Sequence, residues 1–317
     1  MRKHALLAGL SAGLCILAAS GACAAQQWPA KPITITVGFG AGGTTDVMAR
    51  AVSDLLAREL GQPVVVENKP GAGGAVAATG LAKQAPDGYN LVATTSTTLT
   101  LDPLLSKLGY ALDDFTYVAA VGEFPEAYVA LPSKGWKTLK DATAAASQAG
   151  QLTVASNSAL DKMITAYVSR HDGVKLPTVP TRSGAEVVTQ VLGGHVDMGY
   201  SSGAYYPQAK SGQLHVLAVL GEKRVGGLPE VPTLKELGYD ISSINLILFV
   251  APKGLPPEVE AKLTKAFETV GHSQPIQDLM AQRSVNPFVQ TGAPLAATAR
   301  AHADGYKRLI EATRSPQ

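Results

Sequence analysis

Apolar and polar positions along the chain repeat a strand, loop and helix pattern. Residues 33–37 form a β-branched run between Pro32 and Gly38, which is typical of a short buried strand. A glycine-rich loop, residues 38–43, comes next. Apolar residues then recur at helical spacing from Val47 to Leu60 and stop before Gly61. The first unit is therefore predicted to be a strand and a helix joined by a glycine loop.

The same pattern continues along most of the chain. Further strands are predicted at 64–67, 91–95, 152–155, 196–200, 214–220 and 246–250, and helices at 75–83, from about 161, at 186–192, from 256 and at 294–312. Alternation of strands with helices favours α/β sheets that are parallel-rich and covered by helices. A length of 317 residues favours two domains.

The N-terminus predicts a secretory leader over residues 1–25. Arg2 and Lys3 precede an apolar stretch, and Ala22-Cys23-Ala24 resembles a cleavage site. The stretch is short for a transmembrane helix. Both cysteines, Cys15 and Cys23, lie in this leader, so the mature chain is expected to contain no disulfide. Lipid attachment at Cys23 is the alternative to simple cleavage.

The charge of the chain changes the picture further. Lys and Arg number 27 against 25 Asp and Glu, and the leader holds the two surplus cations. A mature protein without net charge has no electrostatic footprint for nucleic acid or an anionic membrane. The remaining histidines lack the spacing of a zinc helix, so no metal or cofactor is predicted. An anionic ligand then depends on local geometry.

One motif suggests dinucleotide binding. Gly38-x-Gly40-x-x-Gly43 follows a strand and precedes a helix, and Glu67 ends the next strand. Glycine lets a pyrophosphate approach backbone amides at a helix N-terminus. The leader and the carboxylate of Asp46 in the first helical turn count against this interpretation.

A second motif suggests a secreted α/β hydrolase. Residues 199–203 read Gly-x-Ser-x-Gly, which places Ser201 as a nucleophile. Asp240, followed by His272 or His302, fits the chain order of a catalytic triad. Asp197 interrupts the preceding apolar strand and counts against it.

Ordered sequence blocks resemble one protein family over almost all of the mature chain. The chain is similar to the solute-binding receptors of tripartite tricarboxylate transporters, also called Bug proteins. The resemblance is strongest at residues 61–74, Gly-Gln-Pro-Val-Val-Val-Glu-Asn-Lys-Pro-Gly-Ala-Gly-Gly. Other matching blocks are residues 28–33, 37–46, 85–89, 193–197, 228–233 and 251–256.

This resemblance implies a periplasmic binding protein of type II-like architecture. Lobe 1 is expected to contain residues 26–121 and 222–317, and lobe 2 residues 122–221. The lobes are expected to close by hinge motion over a small organic acid, which is passed to a membrane permease. A monomer without catalytic activity is expected.

The resemblance also implies a set of ligand-binding residues in facing loops. Asp46 is expected to orient the first loop or a water, and Arg182 to grip a second carboxylate. Each position also has a structural interpretation, such as a turn, a helix cap or a solvated surface residue. The expected ligand-binding residues are Phe39, Gly42, Gly43, Thr44, Asp46, Ser96, Thr97, Ser156, Asn157, Ser158, Arg182, Ser183, Tyr200 and Ser201.

One block departs from the family pattern. Residues 159–162, Ala-Leu-Asp-Lys, replace the usual Gly, Thr or Ser, and His. Familiar polar ligand contacts are thereby lost. The departure leaves room for a ligand whose distal end is more apolar or carries an amino group.

Overall fold

The chain forms two β-sheets, each covered by helices on both faces. The structure, a computed structural model, describes residues 28–181 and 183–314. In the first sheet the strand order is β11-β4-β10-β3-β1-β2. Strand β1 is parallel to its neighbours, whereas β10 and β11 pair antiparallel. Its strands are β1 (Ile33–Val37), β2 (Val64–Asn68), β3 (Asn90–Thr95), β4 (Phe115–Phe124), β10 (Asn245–Pro252) and β11 (Asn286–Thr291).

The second sheet has the order β7-β6-β8-β5-β9. Strand β6 is parallel to β7 and β8, and β5 is antiparallel to β8 and β9. Both sheets are therefore mixed and not parallel-rich as the sequence suggested, because the strands on either side of the crossovers, β4, β5 and β10, pair antiparallel. The strands are β5 (Glu126–Ala130), β6 (Val154–Ser156), β7 (Thr178–Pro180), β8 (Met198–Ser202) and β9 (His215–Val219).

Eleven α-helices cover the two sheets in the described ranges. Short 3-10 turns occur at Ala72–Gly74, Leu112–Asp114 and Pro132–Lys134. The helices are α1 (Thr44–Leu60), α2 (Ala75–Leu81), α3 (Ser96–Thr100), α4 (Asp102–Leu105), α5 (Leu139–Ala149), α6 (Ala159–His171), α7 (Gly184–Leu192), α8 (Tyr206–Lys210), α9 (Pro257–Gly271), α10 (Gln274–Gln282) and α11 (Gly292–Arg314).

Burial of strands on both faces holds each lobe together. Helices α1, α9 and α10 pack on one face of the first sheet, where the ring centroids of Phe249 and Phe267 lie 4.9 Å apart. Helices α2, α3 and α11 cover the other face. In the second sheet, α5 and α6 pack on the face that contains Tyr128, and α7 packs on the face that contains Val129. The two-lobed α/β fold expected from the sequence is confirmed.

The chain passes between the lobes at two close points. Pro125 alone separates β4 of the first sheet from β5 of the second, and the return enters the first sheet at Asn245. The sequence predicts the return near residue 222. In the structure, residues 225–241 still pack with the second lobe, since Val225 and Tyr239 are buried in its two cores. The last turns of α11 also reach that lobe through Tyr306.

Candidate functional site

A cleft of about 700 Å³ is lined by residues of both lobes. Six of the residues expected to bind ligand line it: Phe39, Gly43, Thr44, Thr97, Asn157 and Ser158. These residues come from the loops that follow β1 and β6 and from the first turns of α1 and α3. Because β1 and β3 are parallel, their carboxyl ends meet at the same sheet edge, where open α/β sheets bind ligands.

The loop between β1 and α1 presents a helix N-terminus to this cleft. Gly43 is the N-cap residue, and its lack of a side chain leaves the first turn uncapped. The first backbone N–H groups of a helix have no intrahelical partner, and the helix dipole favours negative charge there. Gly43, Thr44 and Thr45 all line the cleft. This end of the cleft therefore suits a carboxylate.

Asp46 holds the loop in place from behind. Its carboxylate accepts hydrogen bonds from the backbone N–H of Gly42 at 2.8 Å, from the Asn68 amide at 2.8 Å and from Arg50 Nε at 3.1 Å. The Asn68 amide also donates to the carbonyl of Phe39. Burial raises the pKa of Asp46, but these hydrogen bonds and the Arg50 charge together lower it to about 2. Asp46 is 2% exposed and does not line the cleft, so it positions the loop.

A second glycine loop completes this part of the wall, and its site role was missed from the sequence. Residues 71–74 all have positive φ angles. A Cβ atom on Gly38 would lie 2.9 Å from Gly74 Cα, so the two glycine loops pack backbone to backbone. Ala72, Gly73 and Ala75 line the cleft. The signal was available, because this loop repeats the strand, glycine run and helix order of the first.

The loop after β6 is built on the same plan as the loop after β1. Asp161 occupies the third helical position, as Asp46 does, and accepts hydrogen bonds from the backbone N–H groups of Asn157 at 2.8 Å and Ser158 at 3.0 Å. Ser158 and Asp161 also form a capping box. Asp161 forms no ion pair within the described residues, unlike Asp46. Burial therefore raises the pKa of Asp161 despite these hydrogen bonds.

Other predicted site residues lie behind the cleft wall. Ser96 is buried; its hydroxyl donates to the Ile244 carbonyl and accepts from the Leu246 N–H, so it fastens α3 to β10. Ser156 is buried, and its carbonyl accepts hydrogen bonds from Thr181. Neither side chain lines the cleft: the Ser96 hydroxyl joins α3 to β10, and the Ser156 hydroxyl donates to the backbone carbonyl of Ser158 at 3.5 Å.

Two of the remaining predicted loop residues, Gly42 and Ser183, have structural roles. Gly42 does not line the cleft but has a φ of 83° and donates its N–H to Asp46. Ser183 is exposed and caps α7 by accepting from the N–H of Glu186. Arg182 lies outside the described residues, as does the predicted leader, residues 1–25.

Strand β8 turns different side chains toward the cleft than was predicted. Tyr200 and Ser201 are both buried and do not line the cleft, whereas Ser202 does. Ser201 lies within the strand opposite Ala127, and its hydroxyl has no hydrogen-bond partner in the described part of the chain. A serine nucleophile needs a base within hydrogen-bond distance. This geometry gives no support to the hydrolase interpretation.

Glu126, which the sequence did not single out, joins both crossover segments beside the cleft. Its carboxylate accepts hydrogen bonds from Tyr200 Oη at 2.8 Å, Ser243 Oγ at 2.7 Å, Ser202 Oγ at 3.3 Å and Asn245 Nδ2 at 3.3 Å. Burial raises the pKa of Glu126. Glu126, Ser202 and Asn245 line the cleft. This cluster connects α3 to the second lobe, because Asn245 Oδ1 also accepts a hydrogen bond from the Thr97 hydroxyl at 3.5 Å.

The rest of the wall combines apolar side chains with one more carboxylate. Asp102, at the start of α4, lines the cleft, and burial raises its pKa to about 6. The side chain of Asp102 has no hydrogen bond or ion pair within the described ranges. The main apolar lining residues are Phe39, Leu101, Leu105, Leu108, Phe124 and Leu160.

A family model decides the class of protein. The model described as tripartite tricarboxylate transporter family receptor matches residues 48–314. The chain belongs to this receptor family. The resemblance seen in the sequence is thereby confirmed, and the protein is a solute-binding receptor of the tripartite tricarboxylate transporter type.

Individual receptors support the same conclusion over nearly full length. Protein BugT of Bordetella pertussis is 31% identical over 302 residues, which cover 92% of each chain. The crystal structure of a TctC solute-binding protein from Polaromonas, without ligand, has a TM-score of 0.80 and 30% identity, covering 90% of this chain and 99% of that one. MatC from Rhodopseudomonas palustris, with bound malate, has a TM-score of 0.72 and 26% identity, covering 90% and 100%.

The described residues contain no candidate membrane span and no candidate metal cluster. No helix there has the length and apolar character that a membrane span requires. Within the same ranges, no group of three or more His, Cys, Asp or Glu side chains is placed to hold a metal ion.

Proposed function

We propose that this receptor binds a small organic acid between its lobes, with one carboxylate at the N-terminus of α1. The observation that carries the proposal is the uncapped first turn at Gly43, Thr44 and Thr45, which opens into the cleft. The bound malate of MatC, a receptor of the same fold, supports an organic acid. Backbone N–H groups at a helix N-terminus can bind a carboxylate without a charged side chain, which fits a mature chain whose basic and acidic residues are equal in number.

A substitution of Thr44 tests the backbone donor directly. Proline is tolerated at the first helical position and lacks the N–H group, so Thr44→Pro removes one donor while keeping the helix. Hydrogen bonds to charged groups contribute about 1.5–3 kcal/mol, so carboxylate affinity is expected to fall by about 10- to 100-fold. Calorimetric titration measures the change. Thr44→Ala keeps the N–H group and serves as the matched control.

The ligand is first found by a thermal-shift screen of carboxylic acids. A ligand present at about 100 times its Kd adds about 2.7 kcal/mol to the free energy of unfolding. Screening mono-, di- and tricarboxylates, amino acids and aromatic acids covers the expected class. The absence of a shift with all of them would contradict the proposal, as would equal affinities of Thr44→Pro and Thr44→Ala.

The cellular part of the proposal concerns export and delivery. Removal of residues 1–25 releases the receptor into the periplasm. There the lobes close over the bound ligand, and the closed receptor delivers the ligand to a membrane permease. The mass of the mature N-terminus distinguishes simple cleavage from lipid attachment at Cys23. Light scattering tests the expected monomer, and osmotic-shock release tests the periplasmic location. Retention in the cytoplasm would contradict this part.

A further inference from the structure

The charged side chains in the described lining of the cleft are all acidic. The lining contains two carboxylates, those of Asp102 and Glu126, and no Lys, Arg or His side chain among the residues that the structure places there. Partial positive charge comes instead from the helix N-terminus at Gly43 to Thr45. A ligand that fills the cleft therefore meets a positive end and a negative wall.

The Asp102 carboxylate has no hydrogen-bond or ion-pair partner among the described residues. It is partly buried at the start of α4, and its Oδ2 atom lies 3.6 Å from the position of a Cβ on Gly73. The carboxylate thus lies beside the second glycine loop, where it lines the cleft. A desolvated carboxylate without a hydrogen bond or ion pair is unfavourable unless a bound group satisfies it.

Glu126 is the second carboxylate of the described lining. It is 3% exposed, and its four hydrogen-bond donors, from Tyr200, Ser202, Ser243 and Asn245, are all uncharged. Two donors on each oxygen match the acceptor pattern of an ionised carboxylate. No ion pair of the described chain includes Glu126. In its ionised form, this buried carboxylate favours a cation in the adjoining cleft and disfavours a second anion.

We propose that the ligand is an amino-substituted carboxylic acid, with its carboxylate at the α1 N-terminus and its ammonium group facing Asp102 beside Glu126. This inference rests on the carboxylate-binding function proposed above and narrows it. An ammonium group gives Asp102 a charge-assisted partner, which no described residue supplies. A dicarboxylate of the same length places like charges together, so the wall selects against it.

Sets of ligands that differ in one end group test this inference on the wild-type receptor. Calorimetric titration compares 4-aminobutanoate with butanoate and butanedioate, and 6-aminohexanoate with hexanoate and hexanedioate. At one or more of these lengths, the amino acid is expected to bind at least about 10-fold tighter than both amine-free acids. Tighter binding of the diacids would overturn the inference and leave the proposed function standing. Failure of every acid to bind would overturn both.

Asp102→Asn then tests the residue. It is expected to weaken the preferred amino acid at least about 10-fold and to leave the matched diacid unchanged or bound more tightly. Asp54→Asn, on the exposed face of α1, is the control and is expected to change neither. Equal losses for the amino acid and the diacid would reject the role of Asp102. If Asp102→Asn fails to fold, the wild-type ligand series still decides the ligand class.

Discussion

Replacement of Asp46 by Asn tests how the binding loop is held. The substitution keeps the size of the side chain and one acceptor oxygen but removes the negative charge that pairs with Arg50 at 3.0 Å. Because the same carboxylate holds Gly42 and Asn68, we expect a less stable protein and a less ordered loop. Carboxylate affinity is expected to fall together with stability.

The magnitude follows from the pKa of Asp46, which lies at about 2 in the folded chain against an ordinary value of 3.8. At about 1.36 kcal/mol per pKa unit, this difference corresponds to about 2.4 kcal/mol. The Arg50 side chain is 49% exposed, so water screens part of the attraction. We therefore expect Asp46→Asn to lower the free energy of unfolding by about 1–2 kcal/mol at pH 7.

Urea unfolding at several pH values is the decisive assay. A carboxylate whose pKa is lowered by folding stabilises the protein above its unfolded pKa, and this contribution disappears as the pH falls through the folded pKa. The difference between wild type and Asp46→Asn should shrink to about half near pH 3 and vanish below about pH 2. Asp54→Asn, on the same helix but exposed, is the matched control. A constant difference from pH 7 to pH 3 would refute the reasoning.

Three further substitutions probe the crossover from β4 to β5, a glycine loop and the serine motif. Burial raises the pKa of Glu123 from 4.5 to about 7, so the ionised side chain lowers folding stability as the pH rises through this interval. Glu123→Gln should therefore raise the free energy of unfolding by about 2 kcal/mol at pH 8 and leave it unchanged at pH 4. Urea unfolding that shows the same difference from wild type at both pH values would contradict this. Gly74→Ala places a Cβ atom 2.6 Å from Thr94 Oγ1 at a backbone φ of 98°, so calorimetry should show a loss of about 2–3 kcal/mol in the free energy of unfolding. The control Gly135→Ala also has a positive φ but no atom near the new Cβ, and should lose about 1 kcal/mol. Equal losses in the two variants would exclude the clash. Ser201→Ala removes a buried hydroxyl that has no hydrogen-bond partner among the described residues, so the free energy of unfolding should change by less than about 1 kcal/mol. If the wild type hydrolysed an ester and this variant did not, the hydrolase interpretation would be restored.

The strand, loop and helix units could be predicted because their signals are local. The run 33–37 alternates into the core, and Gly61 ends α1 with a φ of 69°, as its sequence position indicated. The glycine loop was likewise predicted to lead into a helix, although the structure makes Gly43 the N-cap residue in place of Thr44, which the sequence offered as a cap. Such features depend on residues a few positions apart, so a single sequence contains them.

The crossover from β4 to β5 could not be predicted in this way. Glu123, Pro125 and Glu126 interrupt an apolar run, so the sequence between 115 and 130 carried no strand prediction. In the structure it forms two buried strands that belong to different lobes. Glu126 is tolerated there because its hydrogen-bond donors come from distant parts of the chain.

The cleft-facing side of β8 was also decided by tertiary packing. Alternation places Tyr200 and Ser202 on one face and Ser201 on the other, but it does not say which face meets the cleft. The pairing with β5 settles this, since Glu126 accepts from Tyr200 and Ser202. The sequence by itself determined the family, the repeated units and the glycine loop before α1. Only the tertiary structure brought Asp102 and Glu126 to one cleft, because burial and hydrogen bonding of a carboxylate depend on residues far apart in the chain.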